Sequence, residues 1–251
     1  STHAPRSDTG ATIRVVEQGA TGAAAGYEAQ IFATGTVPTR RGDSHDAFNA
    51  LCWLAFPELK RACNALHVRE LARPASGPAV VRRGPLRDAV TLLDESGVIV
   101  LCADPALSDL LVRREWKALF HDRRSEVARC MRFWVCGHAL YEKLLDPYPA
   151  ITGRALIVQV QCAALAATFE ARRECADEGA AQLVRKASSS ALTSPLPLAG
   201  IPGWHPDNDA ADFYDDVSVF RPRSPATAAG SLSTLAHSAS APAPVSSSGE
   251  P

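Results

Sequence analysis

The sequence predicts an α+β fold: a single domain with a mixed or mainly antiparallel sheet packed by helices. Three observations point there. Strand-like and helix-like segments alternate without the regular βα repeat of a doubly wound sheet. Two apolar runs flank Glu95-Ser96-Gly97 in the manner of a hairpin. And 251 residues with a hydrophobic fraction of 46% suffice for one sizeable core.

Taken in order, residues 1–11 read as a loose lead-in, and "TIRVV" (Thr12–Val16) reads as a short strand. "YEAQIFATG" follows as a short helix closed by Gly35. Ser44 is placed to cap a helix running to Phe56, and apolar residues from Ala47 to Phe56 cover all of its faces, which predicts burial on every side. Pro57 suits the first position of a second helix, with Glu58 in its first turn; Leu59, Ala62, Cys63 and Leu66 form its stripe and Pro74 ends it. "AVTLLDESGVIVLC" is read as the hairpin. Asp104-Pro105 opens another helix, Ser125–Cys130 a further one, and "MRFWVCG" is a strand ending at Gly137 that feeds the helix "HALYEKLL", stopped by Pro147 and Pro149. "ALIVQVQ" is a strand, and Ala163–Lys186 an Ala-rich helix weakened at Gly179. Residues 199–221 carry Trp204, Phe213, Tyr214 and Phe220 among turn residues and should wrap the domain as ordered coil. The expected organisation is a domain over 12–223 and a disordered Ser/Ala/Pro-rich tail over 224–251.

Charge and cysteine usage narrow the function classes. A formal net charge of −1 supplies no global field for nucleic acid or an anionic membrane. No apolar run has the length of a membrane span, and the N-terminus lacks the layout of a secretory signal. The 7 cysteines have no C-x-x-C spacing, which suits reduced core thiols in the cytoplasm and argues against a thiolate zinc site.

Four clusters could carry chemistry. His45 and Asn49 share a helix face, and Asp46 and Asn49 nearly do, the spacing of a metal-ligand pair or of a base with its orienting partner; capping of a buried helix explains them equally. Arg83 and Arg87, beside Asp88, Asp94 and Glu95, suit recognition of a phosphate or carboxylate, or a loop-to-sheet ion pair. His138 enters a helix from a strand end with Glu142 four residues on, so both can face one point. Asp215-Asp216 with Trp204 and Tyr214 could line a pocket or staple a coil. His121-Asp122 repeats the His-Asp dipeptide of the first cluster, so that pair alone has little specificity.

The blocks "VPTRRGDSHDAFNALCWLAFPELKRACNALH", "RRGPLRDAVTLLDESGVIV", "WKALF", "GHALYEKLLDPYPAITGRAL" and "LPLAGIPGWHPDNDAADFYDDVSVFRP" together resemble the proteobacterial family catalogued as domain of unknown function 3025. The resemblance implies a bacterial, cytosolic, single-domain protein without an assigned activity, and it places the four clusters in one domain.

Two function classes stay open. One is a metal-assisted hydrolase acting on a phosphoester or similar anionic substrate. In it His45, Asp46, His138 and Glu142 are the catalytic groups, His45, Asp46 and His138 hold a divalent metal, and Arg83, Arg87 and Asn49 bind substrate. The other is a non-catalytic binding or scaffold protein whose polar clusters are structural hydrogen-bond networks. In either case two polar openings in one core are cheapest to satisfy together, so His45 or Asp46 is expected beside His138, with Arg87 close by.

Overall fold

The computed structural model describes residues 4–18, 26–72 and 84–223. In chain order its elements are β1 (Arg14–Glu17), α1 (Tyr27–Thr34), β2 (Thr36–Thr39), α2 (Ser44–Ala55), α3 (Pro57–Leu71), α4 (Pro85–Ser96), β3 (Gly97–Cys102), α5 (Pro105–Arg113), a π turn (Ala118–Asp122), α6 (Arg124–Cys130), β4 (Met131–Val135), α7 (His138–Lys143), β5 (Thr152–Gln159), α8 (Cys162–Leu165), α9 (Phe169–Lys186) and β6 (Ser194–Pro197). Residues 4–11, expected as a loose lead-in, form a turn bridged from Arg6 to Thr12, with Ser7 buried. Arg83, Pro74 and the expected tail over 224–251 lie outside the described residues.

The fold is α+β around a mixed four-stranded sheet in the order β4-β3-β5-β6. β3 runs antiparallel to β4 and parallel to β5, and β6 closes the edge antiparallel to β5. All six residues of β3 are buried, as expected of a central strand covered on both faces. Their alternation divides the core. Val98, Val100 and Cys102 meet Leu107, Leu111, Phe120 and Tyr214; Ile99 and Leu101 meet Leu59, Leu66, Leu93, Ala180 and Val184 of α3, α4 and α9. A third, smaller cluster of Ile13, Ile31, Val37 and Trp53 lies under the parallel pair β1-β2.

The expected hairpin is corrected. Residues 85–96 form α4, and β3 begins only at Gly97. Pro85 occupies the first turn, and the buried residues Leu86, Ala89, Val90 and Leu93 recur with the period of a helix face, leaving Leu92 exposed. The turn residues Glu95-Ser96-Gly97 therefore end a helix. Two other expectations change. Ala163–Lys186 is two helices, α8 and α9, separated where Thr168 caps the second by accepting from the Ala171 N–H. Gly179 is no weak point: a Cβ there would stand 2.4 Å from Val158 Cγ1, so the glycine brings α9 close to β5. And α2 is buried on one side only. Asn49, Cys52 and Trp53 face inward, whereas Leu51 and Leu54 are 56% and 60% exposed.

The coil after β6 wraps the sheet as the sequence implies. Asn208 is its staple, donating to the Ala199 and Ile201 carbonyls and receiving Arg124, while the buried Tyr214 hydroxyl donates to the Asn208 and Gly200 carbonyls. The seven cysteines are unpaired, and among the described residues no helix is long and apolar enough to cross a membrane.

Candidate metal centre

Two glycines bring the site together. A Cβ on Gly137 would stand 2.2 Å from the Gly97 nitrogen and 2.6 Å from the Glu95 carbonyl carbon. Only glycine lets the end of β4 press against the joint between α4 and β3, where the Gly97 carbonyl accepts from the N–H groups of both Cys136 and Gly137. The next residue, His138, opens α7 and is thereby set beside Asp94 and Glu95 at the end of α4. Carboxylates in a last helical turn face the negative end of the dipole, and α4 has no basic residue there to offset them.

From the other side, α2 delivers His45. Its cap is Asp43, whose side chain accepts from the Asp46 N–H, rather than the expected Ser44. Ser44 is thereby free to donate its hydroxyl to Glu142 Oε1 at 2.6 Å, tying α2 to α7. The helices are further joined by stacking of Phe48 on Tyr141, ring centroids 5.7 Å apart.

The two imidazoles meet edge-on, Nε2 to Nε2, at 3.0 Å. Behind each ring lies a carboxylate: Glu142 Oε2 is 3.4 Å from His45 Nδ1, and Asp94 Oδ2 is 3.6 Å from His138 Nδ1. Glu95 Oε2 stands 3.7 Å from His138 Nε2, and His45, Glu95 and His138 offer three ligand atoms within 4.8 Å of one another. His138 is buried; His45, Glu95 and Glu142 are partly exposed, so the cluster opens to solvent on one side.

This layout conflicts with every neutral arrangement of protons. If each Nδ1 carries its proton toward the carboxylate behind it, two Nε2 lone pairs confront each other at 3.0 Å. If one ring moves its proton to Nε2 to bridge the pair, its bare Nδ1 faces a carboxylate. A cation between the rings, a proton or a metal ion, resolves both. Two nitrogens about 2.1 Å from one ion, at angles between 90° and tetrahedral, stand roughly 3.0–3.4 Å apart, which fits the observed separation.

Behind Asp94 lies Lys60, a buried residue of α3. Its Nζ donates to Asp94 Oδ1 at 2.5 Å and to Asn49 Oδ1 at 2.8 Å. Asn49 in turn donates to the Tyr27 hydroxyl at 2.7 Å. Burial alone would raise Asp94, but the Lys60 ammonium and His138 outweigh it and hold the carboxyl below its ordinary value. Burial also lowers His138, against the opposing pull of Asp94. The Ser44 hydrogen bond lowers Glu142.

Of the residues singled out in the sequence, His45, His138 and Glu142 converge. Asp46 does not join them: its carboxylate is taken by the Arg40 guanidinium and backbone N–H, which lower it and brace the loop before α2. Asn49 is buried between Lys60 and Tyr27, bonded to both. Arg87 lies two turns before Asp94 on α4, about 10 Å along the axis, and makes no hydrogen bond or ion pair with the cluster. Asp215 pairs with Lys117, Asp216 receives Ser218, and His121 pairs with the exposed Asp122 at the end of the π turn, so these belong to the coil and the surface. Sequence reasoning gave Asp94 and Glu95 to a turn and missed Lys60. The helical spacing of Leu86, Val90 and Leu93 was the signal that would have set both carboxylates at a helix end.

The family model described as "Protein of unknown function (DUF3025)" matches residues 13–224. No curated protein matches the chain, and no solved structure does. The family match runs from the residue before β1 through the coil wrap and so takes in every side chain of the cluster, from Ser44 to Glu142. The chain belongs to the DUF3025 family.

Proposed function

We propose that the protein is a metal-assisted hydrolase whose divalent ion is held by His45, His138 and Glu95, and that its substrate is a phosphoester or a similar small anion. One observation carries the reading: two imidazoles with carboxylates behind both Nδ1 atoms and both Nε2 atoms facing one point, an arrangement that calls for a cation. Three protein ligands at a partly exposed position leave coordination sites for water and substrate, as a catalytic ion needs and a closed structural ion does not. A bound ion would lower the pKa of a coordinated water. Glu142, whose Oε2 lies behind His45 Nδ1, would hold that ring's proton on Nδ1 and so keep Nε2 open to the ion. The anionic substrate draws its support from an open groove of about 500 Å³ that borders Ser44 and is lined by Arg40 and Arg41. Arg40 is engaged by Asp43 and Asp46; Arg41 is exposed and is the group offered to an anion. Seven unpaired thiols support a reducing compartment such as the cytoplasm as its location.

A second reading has its own observation. Tyr27, Asn49, Lys60, Asp94, His138, His45, Glu142 and Ser44 form one polar chain linking α1, α2, α3, α4 and α7. Such a chain supports a non-catalytic scaffold in which the polar groups only knit helices together.

The test is chelator-stripped protein assayed with Zn²⁺, Mn²⁺ or Mg²⁺ against p-nitrophenyl phosphate and bis-p-nitrophenyl phosphate. Metal-dependent turnover that disappears in His45→Ala and Glu95→Gln supports the hydrolase. Neither binding nor turnover with any of the three ions leaves the scaffold.

A further inference from the structure

We infer that Lys60 is a positioning residue of the centre: through Asp94 it fixes which nitrogen of His138 carries the proton, and so aims the Nε2 lone pair at the ion. The inference rests on the metal reading for its purpose, though its first test needs no metal. Lys60 is the fourth residue of α3, 6% exposed, with Leu59, Ala62 and Cys63 buried beside it in the chain, where an apolar side chain would satisfy packing. A buried ammonium is costly unless its surroundings are built for it. Here they are. Asp94 and Asn49 receive two of its hydrogens, the Trp53 ring lies 5.6 Å from Nζ, and the Tyr27 hydroxyl occupies the Asn49 Nδ2, so the amide presents its oxygen to the lysine. The space left beside it is about 10 Å³, room for about one water, so Lys60 does not reach a substrate.

The geometry runs in one direction. Lys60 grips Asp94 Oδ1, which turns Oδ2 toward His138 Nδ1 at 3.6 Å. That nitrogen is buried and otherwise without a partner, and the Asp94 carboxylate 3.6 Å away is the group aimed at it. A proton held there leaves Nε2 bare, toward His45 and Glu95. Without the ammonium, Oδ1 loses its charged donor and the carboxylate loses the orientation that selects this tautomer. Asp94 and Lys60 are not among the residues that offer a ligand atom to the ion; they act through His138.

The experiment reads the tautomer directly, by ¹⁵N–¹H correlation spectra of the imidazoles in the metal-free protein at one fixed pH. The wild type should show the proton of His138 on Nδ1. Lys60→Met should move it to Nε2 or leave a mixture, and should weaken Zn²⁺ binding in calorimetry by about 10–100-fold with all three ligands intact. Should Lys60→Met not fold, Asp94→Asn decides. It keeps an acceptor for Lys60 but turns an amide N–H₂ on His138 Nδ1, forcing the proton to Nε2 and giving the same loss. Unchanged tautomer and affinity in these variants overturn the inference, as does a loss of stability alone. If the wild type binds no Zn²⁺, the metal reading fails, while the tautomer shift still decides the role of Lys60.

Discussion

His45 and His138 are 93 residues apart in sequence and 3.0 Å apart at their Nε2 atoms. One is carried by α2 and the other follows the glycine that ends β4, so neither element alone forms the site.

A divalent ion at this point should stabilise the fold in proportion to its saturation. At a Zn²⁺ concentration one hundred times Kd the wild type should gain about 2.7 kcal/mol. His138→Gln keeps the ring's volume approximately and removes the ligand, so its gain should fall to near zero. Thermal melts with and without Zn²⁺ check both values. A gain in His138→Gln equal to that of the wild type would place the ion elsewhere.

Gly137→Ala should be among the most damaging small substitutions in the chain. Its methyl group would stand within 2.6 Å of backbone atoms at Gly97, Ser96 and Glu95, none of which is a flexible side-chain end. The joint must open to admit it, at a cost of roughly 3 kcal/mol or more. Urea denaturation measures the loss; a cost under about 1 kcal/mol would show that the joint is compliant.

The one-sided burial of α2 gives a contrast within one helix. Trp53 is 2% exposed and Leu54 is 60% exposed. Trp53→Ala should therefore cost roughly 3–5 kcal/mol and Leu54→Ala about 0.5 kcal/mol or less. A large cost at Leu54 would reveal a partner covering that face.

Asp177 gives a pH dependence. Its buried carboxylate, on α9, accepts from the N–H groups of Glu58 and Leu59 at the start of α3. Burial pushes it up from 3.8 to about 6 against the pull of those two donors. A raised folded-state pKa means the folded protein binds the proton more tightly than the unfolded chain. The resulting stability is full below about 3.8 and is lost as pH rises through about 6. Relative to Asp177→Asn, which does not titrate, the wild type should lose roughly 2–3 kcal/mol between pH 4 and pH 7. Denaturant unfolding at pH 4, 5.5 and 7 reads the difference. A relative stability that rises with pH would mean the two backbone donors prevail over burial.

Much of this was legible in the sequence because the signals were local. Asp104-Pro105 starts α5, Pro57 starts α3, and of the coil-wrap aromatics Tyr214 and Phe220 are buried and Phe213 partly so, while Trp204, expected with them, is 42% exposed. The hairpin expectation failed because two apolar runs around Glu95-Ser96-Gly97 were weighed by composition and not by period. That single misreading hid Asp94 and Glu95, since a turn has no reason to point two carboxylates into a core. Lys60 was hidden for another reason. A lysine within an apolar stripe reads as an exposed neighbour, and only the fold brings Asp94 within reach of it, 34 residues away. His45 and Asp46 show the limit of adjacency. Consecutive helical positions diverge by about 100°, so one reaches the cluster while the other is drawn back to Arg40.

The small cluster of Ile13, Ile31, Val37 and Trp53 lies apart from the two that grip the sheet. The helix holding His45 contributes Trp53 to it, whereas His138 and Glu95 are fixed to the sheet through the glycine joint. The centre therefore joins a helix rooted in the small cluster to a joint rooted in the sheet core. A ligand gripped by both should slow amide exchange in α1 and α2 through local opening, and in the fully buried β3 only as far as the whole fold is stabilised. Occupancy of this site would be visible as the loss of local breathing in α1 and α2, beside the rise in the melting temperature of the whole.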